Sequence, residues 1–147
     1  MTSNISSTKE EILKNWLQLN SKLFLSAGDE ILDVVLLTNT ILNDPQTSRL
    51  GLKLDHKFEI QPKAIFTTTN KDNSKGFGII EISSTAIGLK DVGILHTYAK
   101  MVSPKYALLL CEKSYSKELT YLLTDPRIAP RLLRFEGEKE LKLIDYS

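Results

Sequence analysis

The sequence predicts a single α/β domain in which a mixed central sheet is flanked by helices. Three observations carry this expectation. Apolar residues recur at helical spacing near the N-terminus, at Ile12, Leu13, Trp16, Leu17, Leu23 and Phe24. Two stretches with strand character, Phe58 to Thr68 and Phe77 to Ser83, flank the turn-forming run Asn70-Lys-Asp-Asn-Ser-Lys-Gly76. The second stretch leads through a helical segment into a third, Tyr106 to Glu112, a strand, helix, strand unit that implies a right-handed crossover and a parallel pair. With 147 residues, a chain of this size buries roughly two-thirds of its unfolded surface. One domain over 1–147 is expected, with a helical part at 8–44 and an α/β core at 50–146.

In chain order, Thr8-Lys-Glu-Glu11 has the form of a capping box and opens a helix reaching about Leu25. Ser26-Ala-Gly28 interrupts it. Asp29 begins a second predicted helix through Ile31, Leu32, Val35, Leu36 and Leu42, stopped by Asn43-Asp44-Pro45. Glu30 and Asp33 near its start complement the helix dipole. From Leu50 to Thr69, apolar residues at Leu52, Leu54, Phe58, Ile60, Ala64 and Phe66 alternate with polar ones, as in half-buried strands. A helix from Lys90 to Val102, ended by Ser103-Pro104, presents Val92, Leu95, Tyr98, Ala99 and Val102 on one side. After the strand Tyr106 to Glu112 comes a short helix, Tyr115 to Thr124, closed by Asp125-Pro126. Leu132 to Phe135 and Leu141 to Tyr146, around Glu136-Gly137-Glu138, form a closing hairpin.

Composition narrows the function classes. The lone cysteine, Cys111, sits in an apolar run, which fits a small buried hydrophobe and leaves no pair for a disulfide or a cysteine zinc site. Apolar runs are short and the N-terminal stretch has neither a basic nor an apolar signal region, so an intracellular, cytoplasmic protein is expected. No glycine-rich phosphate loop is present. Charge is uneven: residues 1–44 hold three Lys against six Asp and Glu, residues 45–135 hold fourteen Lys and Arg against eight, and residues 136–147 hold two against four. A basic centre attracts a polyanion, although ordinary solvated lysines give the same count. Tyr98, Tyr106, Tyr115 and Tyr121 are candidates for stacking on bases, and each also fits packing.

The residue that most needs an explanation is Glu81, a carboxylate in the apolar run Phe77-Gly-Ile-Ile-Glu81-Ile-Ser83. An acid in such a strand requires a metal, hydrogen bonds or an open sheet face, because an unpaired buried charge is costly. Three short segments frame it: Pro62-Lys63-Ala64-Ile65, Ile79-Ile80-Glu81-Ile82-Ser83 and Leu95-His96-Thr97-Tyr98. With the element order, they resemble the PD-(D/E)XK superfamily of restriction-endonuclease-like and Holliday-junction-resolvase-like nucleases over about residues 29–145. Members of that family carry Pro-Asp, then a strand ending Glu-x-Lys, then a helix often bearing Gln-x-x-x-Tyr. The two acids bind Mg²⁺, which activates water and shields the phosphate, while the lysine orients the nucleophile.

Two of the three motif positions depart from that pattern: Lys63 stands for the Asp and Ser83 for the Lys. Replacing a carboxylate by an ammonium turns attraction for a divalent cation into repulsion of several kcal/mol at about 4 Å and an effective dielectric of about 20. The resemblance therefore implies a nuclease fold that has lost cleavage, with no cofactor, and with Lys63 pairing with Glu81 in place of a metal. Such a protein binds nucleic acid, DNA rather than RNA, or a protein partner. Lys63, Lys90, Lys100, Arg127, Arg131 and Arg134 are its candidate contacts, and a two-fold homodimer is implied by the family. A second reading keeps Mg²⁺-dependent DNA cleavage through migrated residues: Glu59, on the strand face of Lys63, and Lys100, with Asp55, Asp91 and Lys90 also near in sequence. A third is a structural or oligomerisation subunit. A triad from His96, Ser83 or Ser84 and Asp91 has no nucleophile elbow to support it, and His56 is the other histidine.

Overall fold

The computed structural model describes residues 4–37 and 62–146, with the backbone alone for residues 4–8. The predicted strand residues Leu52, Leu54, Phe58 and Ile60 therefore lie outside the described residues. The chain divides into two compact units, Met1–Gly78 and Ile79–Ser147, with the boundary inside a strand. The fold is mixed α/β, with a six-stranded sheet in the order β1 (Glu30–Leu36), β2 (Ala64–Thr69), β3 (Lys75–Ser83), β4 (Tyr106–Cys111), β6 (Lys139–Asp145), β5 (Arg134–Glu136). Among the described residues no helix is long and apolar enough to cross a membrane.

In the first unit, α1 spans Asn4–Leu19. It begins before Thr8, so Thr8 lies inside the helix and the predicted capping box does not mark its start. Leu13 and Leu17 are fully buried, and Phe24 follows after a 3₁₀ turn at Ser21–Leu23. The helix ends short of Leu25 because Asn20 donates from its side chain to the Trp16 carbonyl at 2.9 Å, a local bond that competes with another helical turn. Gly28, at φ 91°, carries the chain through the break.

The second predicted helix is a strand over its described part. β1, Glu30–Leu36, pairs antiparallel with β2, Ala64–Thr69, with Val34 opposite Phe66 and Val35 opposite Ile65. A bulge falls between Ile31 and Asp33. One extra residue resets the two-residue alternation, so the buried set Ile31, Val34, Val35 has the 0, 3, 4 spacing of a helix face. β-Branched residues at all three buried positions favour the strand. β2 also departs from the predicted alternation, since Ala64, Ile65, Phe66, Thr67 and Thr68 are all buried. The turn after it matches expectation: Asn70 donates to the Ser74 carbonyl at 2.8 Å and Asn73 takes φ 68°. It leads into β3, Lys75–Ser83.

The second unit holds the rest of β3, beginning with the buried Ile79 and Ile80. α2, Leu89–Val102, starts where the Asp91 carboxylate accepts the Gly88 N–H at 2.9 Å. It buries Val92, Leu95, Tyr98 and Ala99 as predicted and stops at Ser103, in the left-handed conformation just before Pro104. β4, Tyr106–Cys111, is wholly buried. Beyond the ends of β3 and β4, Ile87 forms a parallel bridge with Tyr115, in keeping with the expected crossover. α3, Lys117–Thr124, is capped by the Ser116 hydroxyl, which accepts from the Leu119 N–H at 3.1 Å. The short α4, Ala129–Leu133, leads into the closing hairpin of β5, Arg134–Glu136, and β6, Lys139–Asp145. β6 is antiparallel to β5 and parallel to β4, with Leu109 opposite Leu143, and so lies between them.

Candidate functional site

Glu81 follows two fully buried isoleucines in β3 and is itself half-buried. Its own strand supplies one donor, because the Ile82 N–H reaches Glu81 Oε1 at 3.2 Å. From α2, the buried Tyr98 feels the charge of this carboxylate. The Tyr98 phenol is pushed up to about 12, first by burial and second by Glu81. A phenol that holds its proton so firmly stays neutral in the field of the strand acid. Tyr98 was legible as a residue on the sheet-facing side of a helix, and helical spacing alone reads that side as packing.

Ser83 ends β3. Its hydroxyl donates to the Thr85 carbonyl at 3.0 Å and accepts from the Thr85 N–H at 3.3 Å, the local bonding of a turn. Its carbonyl accepts from the Glu112 N–H at 3.2 Å. Lys63 belongs to the first unit, where it is exposed just before β2 and its carbonyl accepts from the Leu37 N–H at 2.9 Å. Glu59, Asp55 and His56 lie outside the described residues.

Of the remaining candidates, Lys90 and Lys100 sit on the helix predicted for them, and Arg131 lies on a short helix that was not predicted. Lys90 and Lys100 are exposed at opposite ends of α2, Lys100 in the last turn, where a cation complements the helix dipole. Arg131 is exposed on α4. Arg127 bonds to Asp125, through its backbone N–H at 2.9 Å and its Nε at 3.5 Å. Arg134 Nε lies 3.2 Å from Glu140 Oε1. His96 Nε2 is 2.6 Å from the Arg134 carbonyl, and Asp91 is committed to the cap of α2. The side chains of the triad His96, Ser83 and Asp91 are thus each engaged elsewhere. Glu136 is held below the usual carboxylate range by hydrogen bonds, first from Lys139 and then from Ser103.

Among the described residues no three His, Cys, Asp or Glu side chains gather as a metal-ligand set. At the motif positions themselves one carboxylate, one ammonium and one hydroxyl do not fit the hard, oxygen-donor coordination that Mg²⁺ takes. Cys111 is buried and its thiol donates to the Ser114 carbonyl at 3.4 Å, as expected of a packed residue. In the first unit, sequence reasoning missed a concavity of about 280 Å³ lined by Gln18, Ser21, Leu25, Asp29, Glu30 and Ile31. It contains none of the motif residues.

No family model matches the chain. No curated protein matches it either. Among solved structures, EndoMS in apo form is similar over 94% of this chain and 46% of that one, at 11% identity and a TM-score of 0.45. The chain thus spans under half the length of that neighbour, and a likeness of this degree assigns no role to any residue here.

Proposed function

We propose that the protein is a nucleic-acid-binding module, directed at DNA in preference to RNA, on a nuclease-like scaffold that has lost phosphodiester cleavage. The observation that carries the reading is Ser83. Where the nuclease motif needs an amine to orient the attacking water, this chain has a hydroxyl, and that hydroxyl is taken up by the turn at Thr85. Lys63, in the place of a metal-binding acid, supports the same conclusion by the sign of its charge. Binding rests on Lys63, Lys90, Lys100, Arg127, Arg131 and Arg134, through phosphate contacts and counterion release. A two-fold dimer belongs to the proposal.

The test is a panel of single-stranded, duplex and branched DNA, incubated with the protein in EDTA or in Mn²⁺ and followed for both retardation and fragment length. Retardation at low salt without fragmentation is the expected result. Fragmentation that Glu81→Ala abolishes overturns the loss of cleavage and points to catalytic residues that have migrated, Glu59 first among them. Neither effect, together with a defined oligomer by light scattering, favours a structural subunit.

A further inference from the structure

We infer that the outer side of α1 is the surface on which two copies of this chain pair, antiparallel and about a two-fold axis. The inference gives the dimer of the proposed function an interface, and it is measured without nucleic acid, so either can fail alone. α1 carries two apolar faces. Leu13 and Leu17 are the buried pair that seats the helix. Ile12, Trp16 and Leu19 follow one another at steps of four and three, which sets them along a second face. A further step of four reaches Leu23, in the 3₁₀ turn after the helix. Ile12 is 57% exposed, Leu19 85% and Leu23 58%, and Trp16 is half-buried. Single exposed leucines need no explanation, whereas a run of large apolar side chains along one helix marks a contact surface.

Spacing and charge both name a second copy as the occupant. Alternating steps of four and three are the seam spacing of paired helices. The steps here, four, three and four, read the same from either end. An antiparallel partner therefore sets Ile12 against the partner's Leu23 and Trp16 against the partner's Leu19, so that each apolar side chain meets another. Flanking charges choose the direction. At about 100° per residue, Glu10 turns towards Leu13 and Leu17 and Lys14 turns away from the seam, which leaves the exposed Glu11 on one border and the exposed Lys9 on the other. Lys22, also exposed, follows in the 3₁₀ turn. Antiparallel pairing brings the partner's Lys22 to about 3 Å along the axis from Glu11 and about 6 Å from Lys9, so the acid is the nearer charge, and the two copies of Lys9 stand at opposite ends. Parallel pairing would set each charge on its own copy, like against like. A helix of 16 residues is about 24 Å long and about 10 Å wide. That is the low end for a specific interface, so the dimer forms and separates with concentration.

The experiment is sedimentation velocity without nucleic acid, from roughly 1 to 500 µM protein, with circular dichroism and urea denaturation as the check on folding. The native chain should pass from monomer to dimer mass within that range. Leu19→Glu, at the most exposed of the four positions, should keep its fold and weaken the dimer at least roughly tenfold. Glu11→Lys and Lys22→Glu should each weaken it roughly 2- to 10-fold. The doubly exchanged chain should regain native association, because only antiparallel pairing restores an acid beside a lysine. A native chain that stays monomeric overturns the interface: if Leu19→Glu then unfolds, the face is covered from within the chain, and if it stays folded, the face belongs to another partner. A dimer that Leu19→Glu leaves intact overturns it too and puts the contact elsewhere. No effect of either single exchange, or no recovery in the double one, overturns the antiparallel pairing. DNA retardation by the folded Leu19→Glu chain is read separately and bears on nucleic-acid binding alone.

Discussion

Glu81 and Tyr98 form a pair whose behaviour can be followed by pH. The folded phenol holds its proton to about 12, whereas an ordinary tyrosine releases it at 10.0. Because the folded value is the raised one, the linked stability is fully present below 10.0 and is lost as pH rises through about 12. Tyr98→Phe has no proton to lose, so the alkaline limb of its stability profile should be flatter than that of the native protein, as read by urea denaturation at stepped pH. Glu81→Gln removes the smaller of the two causes. The Tyr98 titration, obtained as the ultraviolet difference between native protein and Tyr98→Phe, should then move down from about 12 yet stay above 10.0, since burial remains. No movement would show that Glu81 does not act on this phenol. The sequence draws attention to Glu81 because an acid among isoleucines needs a partner whatever the fold. Charge is visible in a sequence and pointed to Lys63 as that partner, whereas the burial of Tyr98 within the field of this acid shows only in the fold.

At the scale of elements, the strand, helix, strand passage and the closing hairpin were legible because each carries its own punctuation. Asn70 to Gly76, Ser103-Pro104 and Gly137 mark turns and a helix end by local chemistry, and local chemistry is what a sequence shows. β1 was not legible, because a bulge is a relation between two strands and its effect on one of them alone is to imitate helical spacing. The glycines separate packing from propensity in the same way. A Cβ at Gly78 would overlap the ring of Phe66, which is fully buried and meets Phe24 edge-on with ring centroids 6.0 Å apart. Gly78→Ala must therefore displace the ring, at a cost of about 1–3 kcal/mol for overpacking. Gly93, exposed in the middle of α2, has no heavy atom within 4 Å of an added Cβ. Gly93→Ala should raise stability by about 0.5–1 kcal/mol, as the helix gains a better former. Urea denaturation of the two variants side by side checks both signs, and equal effects would mean that ring packing does not set the value at Gly78.

For the molecule as a whole, charge is the property that links sequence to partner. The basic centre was legible as a count, while the share of it that is available to a polyanion depends on which cations are held by neighbouring acids. Lys90, Lys100 and Arg131 are exposed, whereas Arg127 and Arg134 bond to Asp125 and Glu140. These are exposed pairs, worth about 0–1 kcal/mol to stability, so releasing one barely affects the fold. Its effect on binding is larger, because a carboxylate beside a cation both occupies the guanidinium and repels the incoming phosphate. Each phosphate neutralised adds about 0.9 to the slope of log affinity against log salt for duplex DNA and about 0.7 for a single strand. Arg131→Ala should reduce the slope by roughly that amount. Glu140→Gln should do the reverse: it frees Arg134 for a phosphate and removes a negative charge, so affinity at low salt rises and the slope steepens. Retardation titrations of native protein and both variants over a range of salt measure this directly. If Glu140→Gln leaves the slope unchanged, Arg134 does not face the nucleic acid, and the basic surface is confined to the cations that no acid holds.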